Sequence, residues 1–155
     1  MAYWELRQRV GPLYAVRQPH VDVFSDLPLA SGLCLAQLQD SAAADPGVAR
    51  ARRKIGAGLV LSREPPPDAT VWLYNRSRYP IFVGGRSGGG ASAVDRLAPG
   101  HCLRVMGDPA GDTGHCVEGL RSVQVSFGKG FGTDRYSRRT IHSCPCWIEI
   151  LLRVT

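Results

Sequence analysis

The sequence predicts a mainly β fold, an antiparallel β-sandwich with one short helix and a loop-rich end, and three observations carry that prediction. Apolar residues recur at alternate positions or in brief runs, the runs are punctuated by Gly and Pro, and only one stretch combines helical spacing with signals at both ends. About ten such runs fill a chain of 155 residues, and two sheets packed face to face bury one side of each.

In chain order, strands are expected at residues 3–10, 13–17, 21–24, 33–37, 59–62, 71–74, 81–83, 101–106, 122–127 and 147–152. The helix is expected at Pro46–Ile55, with Asp45 as N-cap, Pro46 at the first helical position and Gly56 just past the end. Val48, Ala51 and Ile55 fall on one face of it, whereas Arg50, Arg53 and Lys54 share another near the C-terminal end, where the helix dipole favours cations. Exposed connections are expected at 64–69, which holds three consecutive prolines, at 84–91, which holds five glycines, and at 108–114. No linker rich in Ser, Pro or charge divides the chain, so a single domain is expected over 2–152.

A hydrophobic fraction of 44% suffices for one core, and a net charge of +6 favours partners bearing phosphate or clustered carboxylates. The cysteines, Cys34, Cys102, Cys116, Cys144 and Cys146, are odd in number and follow no secretory signal, so reduced intracellular thiols are expected. No apolar stretch approaches the roughly 20 residues of a membrane-spanning helix, and no membrane insertion is expected.

The densest functional signal is the segment 126–147, SFGKGFGTDRYSRRTIHSCPCW, where a strand gives way to a glycine-rich, basic loop. Gly128, Gly130 and Gly132 alternate around Lys129 and Phe131, and such glycines let a loop present Lys129, Arg135, Arg138 and Arg139 from a rigid scaffold. Arginine suits bidentate capture of phosphate or carboxylate; an ordinary solvated hairpin tip is the competing reading. The spacing is no nucleotide-binding fingerprint, because neither Ser nor Thr follows Lys129 and no helix opens after the glycines. Phe131, between glycines, reads as an exposed interface anchor or a local plug, and Trp4, Trp72 and Trp147, within strands, read as core. His142, Cys144 and Cys146 could be zinc ligands, but no second close pair completes the site, and buried strand cysteines explain them better. Neither a Cys-His pair with an orienting carboxylate nor a paired acid and base can be placed, and Glu5, Asp22 and the other scattered carboxylates read as solvated surface. No catalytic residue, metal or cofactor is expected.

Six stretches together carry a resemblance: YWELRQRVGPLYAV at 3–16, FSDLP with GLCLAQL within 24–38, RRKIGAG at 52–58, YNRSRYPIFV at 74–83, VSFGKGFG at 125–132 and SCPCWIEILL at 143–152. Over residues 2–152 the chain resembles the C-terminal Mad-homology-2 domain of inhibitory Smads. The resemblance implies a β-sandwich similar to forkhead-associated domains, no enzymatic activity and no DNA-binding Mad-homology-1 domain in this chain. It also implies a basic groove that engages activated, phosphorylated type I receptors of the TGF-beta and BMP pathways, built from Arg50, Lys54, Lys129 and Arg138. Receptor-activated and common Smads, transcriptional co-regulators, residence in cytoplasm and nucleus, and repression of signalling by competition follow from the same likeness, which leaves self-association open. Departures are equally specific. The chain ends Leu-Leu-Arg-Val-Thr without the Ser-x-Ser that receptors phosphorylate; Phe131 stands where the family carries Trp; Thr133, Asp134 and Arg135 add a residue; and Asp68 after Pro65–Pro67 gives no Pro-Pro-x-Tyr motif. The short, glycine-rich stretch 107–120 is not expected to form the two helices of receptor-activated members. From the residues alone, a nucleic-acid-associated transcriptional cofactor using the same loop is the alternative, and a zinc hydrolase is a distant third.

Overall fold

A computed structural model of the chain describes residues 1–28, 31–39, 45–67, 69–85, 93–107, 119–132 and 134–154. Among these, β1 (Ala2–Glu5), β2 (Gln8–Val10), β7 (Ile81–Gly84), β8 (Val94–Leu97), β10 (Gly119–Phe127) and β11 (Trp147–Val154) form one sheet, in the order β2-β1-β11-β10-β7-β8. β3 (His20–Phe24), β4 (Gly32–Cys34), β5 (Leu59–Arg63), β6 (Val71–Asn75) and β9 (Cys102–Met106) form the second, in the order β4-β3-β5-β6-β9. Every pairing is antiparallel except β3 with β4. The mainly β sandwich expected from alternation is therefore the fold.

The period-2 pattern explains the core. In β5, Leu59 and Leu61 are buried while Val60 and Ser62 are half-covered; Val71 and Leu73 of β6 and Val123 and Val125 of β10 repeat this, so both sheets contribute inward apolar rows to one cluster. Each fully buried aliphatic side chain contributes about 1.5–3 kcal/mol. A second, smaller cluster of Phe82, Phe131, Ile141, Cys144 and Trp147 lies beneath the glycine-rich loop.

Four expectations are corrected. The stretch 3–10 is a tight hairpin of β1 and β2, because Leu6 adopts φ 54° and its carbonyl accepts the Trp147 indole N–H at 2.8 Å. Residues 13–17 join no sheet, since they carry the chain from β2 in one sheet to β3 in the other. At 33–37 the strand stops at Cys34, and a short helix α1 (Leu35–Leu38) turns Leu35 into the core. β8 was not expected: its single inward leucine, Leu97, gives too short an alternation to see. Much of the predicted loops 84–91 and 108–114 lies outside the described residues.

The helix α2 (Pro46–Ile55) has the predicted bounds. The Asp45 carboxylate accepts from Gly47 N at 2.7 Å and Val48 N at 3.4 Å, satisfying two amides that the first turn leaves without partners. Val48, Ala51 and Ile55 are buried against the sandwich, and Gly56, at φ 51°, ends the helix in a conformation that disfavours other residues.

Candidate functional site

α2 and the loop after β10 meet at one end of the sandwich. Gly128 has φ 67°, a conformation that disfavours other residues, and lies in van der Waals reach of the Lys54 side chain, so the helix lysine lies along the loop. Gly128 N donates to Pro80 O at 3.1 Å, and Gly132 N donates to Arg138 O at 2.8 Å, which closes the loop on itself. A Cβ on Gly130 would collide with the Tyr136 ring. The loop therefore needs Gly128 and Gly132 for their positive φ and Gly130 for its close approach to an aromatic ring.

This loop brings distant cations together. Lys129 is half-buried, and its pKa is lowered first by the charge of Lys54, then by burial, then by Arg138 and Arg50. Such a shift requires the cations to share one field, because charges beyond a Debye length of about 8 Å are screened at physiological salt. Lys54 Nζ also lies 5.2 Å from the centroid of the Tyr79 ring, a cation–π contact at a residue 43% exposed. Arg53, Arg135 and Arg139 are exposed on the flanks, and none of them is among the charges that depress Lys129.

Phe131 requires correction. It is 4% exposed, packed in the second cluster with Phe82, Ile141, Cys144 and Trp147, and its ring fills the space beside Gly84. Of the two readings, the ring is the local plug and not an exposed tip, and it roots the loop in the core. The tryptophans divide: Trp147 is fully buried, whereas Trp4, stacked on it at 5.2 Å, and Trp72 are half-buried.

Three groups of residues that position the turn after β6 and α2 have no local sign in the sequence. Tyr79 is held beside Lys54 because Asn75, fully buried, donates to Tyr79 O at 2.8 Å and Leu97 O at 3.0 Å and accepts from Ser77 N and Oγ, which fixes the turn after β6. Glu5 grips Arg52 of α2 in a bidentate pair, Nε to Oε1 and Nη2 to Oε2, each 2.7 Å, with both side chains nearly covered. The Tyr3 hydroxyl donates to Glu5 Oε1 at 2.7 Å and accepts from Gln39 Nε2 at 3.2 Å. The hydrogen bond to Glu5 raises the Arg52 pKa, and burial, followed by the neighbouring Cys146, raises that of Tyr3.

The thiols are built for packing. Burial pushes the Cys146 thiol up to about 12 and raises Cys144 as well, the opposite of what a thiolate ligand or nucleophile requires. Cys144 donates to Lys129 O at 3.8 Å and belongs to the loop cluster, whereas Cys146 donates to Val48 O at 3.8 Å and belongs to the main core, so they face different layers. Among the described residues, no three His, Cys, Asp or Glu side chains gather as a metal site.

Comparison with known proteins matches residues 1–153 to the MH2 domain. The chain belongs to the MH2 domain family. Mothers against decapentaplegic homolog 6 of Gallus gallus is 42% identical over 165 residues, which cover 98% of this chain and 37% of that protein. Mothers against decapentaplegic homolog 7 of Homo sapiens is 37% identical over 164 residues, covering 97% of this chain and 37% of the relative. The chain thus spans a little over a third of the length of these relatives. No helix among its described residues is long and apolar enough to cross a membrane.

Proposed function

We propose that this MH2 domain inhibits TGF-beta or BMP-family signalling by binding activated, phosphorylated type I receptors, or activated Smads, in the cleft lined by Arg50, Lys54, Lys129 and Arg138. The single observation that carries the reading is the meeting of α2 with the loop after β10, where Gly128 packs against Lys54 and the charges of Lys54, Arg138 and Arg50 all bear on Lys129. Like charges held this close repel one another, and the packing of Gly128 against Lys54 and of Phe131 into the core sustains the arrangement. A phosphoryl group carries about −1.5 to −2 charges and three acceptor oxygens, so it relieves that repulsion while taking several charge-assisted hydrogen bonds. Recognition, with no bond made or broken in the partner, is then the whole of the chemistry. Occupying the receptor or the activated Smad excludes productive signalling complexes by competition. Receptor-activated and common Smads and transcriptional co-regulators are the partner classes, encountered in cytoplasm and nucleus.

Calorimetric titration of a phosphorylated receptor juxtamembrane peptide against the domain and its Lys54→Glu and Lys129→Glu variants tests this. Each reversal is expected to weaken binding by about tenfold or more, since a hydrogen bond to a charged group contributes about 1.5–3 kcal/mol. Equal affinity for all three proteins would remove the cleft from the mechanism.

A further inference from the structure

The strands carry a second surface at the end remote from the cationic cleft. β5 leaves the C-terminal end of α2 and finishes at Arg63, and β6 returns from Val71 to Asn75, next to the turn that bears Tyr79. β10 runs from Gly119 to the loop that carries Lys129, and β11 returns from Trp147 to Val154. Lys54, Tyr79 and Lys129 therefore occupy one end of the sandwich, and Arg63, Val71 and Arg153 the other.

At that far end a groove of about 1250 Å³ opens between the two sheets. Trp72 and Met106 from one sheet, Leu151 and Leu152 from the other, and Val16 from the crossing segment give it an apolar floor. Val16 and Leu151 are each 39% exposed, so apolar area remains to be covered. The rim is cationic: Arg17, Arg63 and Arg153 are all exposed, and Glu64 is the one carboxylate among the described residues of the lining.

We propose that this groove docks a segment of another protein in which apolar side chains alternate with carboxylates. The domain then takes this acidic, apolar partner at the end opposite Lys54 and Lys129. The volume exceeds the roughly 300–1,000 Å³ of small-molecule pockets, which favours a stretch of polypeptide. Charge complementarity selects its chemistry. Three arginine forks at the rim offer carboxylates bidentate pairing, and the floor between them rewards burial of branched apolar side chains. A nucleic acid or a lipid headgroup would satisfy the arginines and leave the floor wet, whereas a purely apolar segment would strip water from the arginines without replacing it. The inference does not depend on what the cationic cleft binds.

The test is fluorescence anisotropy with the full chain at about 0.15 M salt, where screening over ~8 Å separates the two ends of the molecule. The probes are a labelled synthetic peptide alternating leucine with glutamate, a counterpart with lysine for glutamate, and one with serine for leucine. The leucine–glutamate peptide is expected to bind, with both counterparts weaker by about tenfold or more, equivalent to ~1.4 kcal/mol. The paired variant Arg63→Glu with Arg153→Glu is expected to lose about as much, while Lys54→Glu with Lys129→Glu binds within roughly twofold of the parent. Absence of binding by the leucine–glutamate peptide, equal binding of the lysine peptide, or loss caused by the cleft pair rather than the rim pair would overturn the proposal. So would a dimer in sedimentation that dissociates when Arg63 and Arg153 are reversed, because a second copy would then be the occupant.

Discussion

Phe131 illustrates how a residue can be misjudged by its neighbours in the chain. Glycines on both sides suggest an exposed tip, but the same freedom lets the loop fold back and bury the ring against Phe82, Ile141 and Trp147. Phe131→Ala is expected to cost about 3–5 kcal/mol, read as a lower denaturation midpoint in urea; an unchanged midpoint would mean that the ring does not root the loop. The buried thiols set a second expectation. Cys146 keeps its proton to about 12 in the native state, whereas the unfolded chain sheds it near the ordinary value of 9.0. Because the folded pKa is the higher one, its contribution is intact below 9.0 and is lost as pH climbs to about 12. Stability should fall there by about 1.4 kcal/mol per pH unit, and Cys144 and Tyr3, also raised, act in the same direction. Urea titrations across that range should show a shallower decline for Cys146→Ala than for the parent protein.

Among the elements, α2 was readable to its ends, because a cap, an N-terminal proline and a terminal glycine are local chemistry. What orients it was not. Glu5 looks like one more solvated carboxylate, yet it holds Arg52 across 47 residues of chain, with Tyr3 and Gln39 completing the network. Arg50 and Lys54 belong to the helix that this pair steadies. Arg52→Met should destabilise the domain by about 3 kcal/mol, since Glu5 would remain nearly covered and without its cation, and a thermal melt measures the loss. The strands were readable where an alternating face meets the core, as in β5, β6 and β10. They were misread where the chain changes sheets, at residues 13–17, and where a short helix interrupts the pattern after Cys34.

At the scale of the whole molecule, the net charge of +6 says only that anions are welcome, whereas the fold concentrates that charge. The affinity of a phosphorylated peptide should therefore fall as salt rises, and reversal of both Lys54 and Lys129 should flatten that dependence as well as lower the affinity. Titrations at several ionic strengths provide the check. A slope unchanged by the two reversals would place the anion elsewhere. Tight, base-selective binding of DNA by the same domain would favour the nucleic-acid reading over the phosphoprotein one.

Alternation, punctuation and capping are written in neighbouring residues, so fold class, the helix α2 and the identity of the basic segments follow from the chain alone. Whether Arg50 and Lys54 share a field with Lys129 and Arg138, which side of the loop Phe131 takes, and what holds Arg52 depend on contacts between distant residues, such as Glu5 with Arg52, Phe82 with Phe131 and Lys54 with Lys129. Such contacts form only when two sheets close on one another. The apolar groove at the far end has the same origin, since Trp72, Met106 and Leu151 become one surface only through the pairing of their strands.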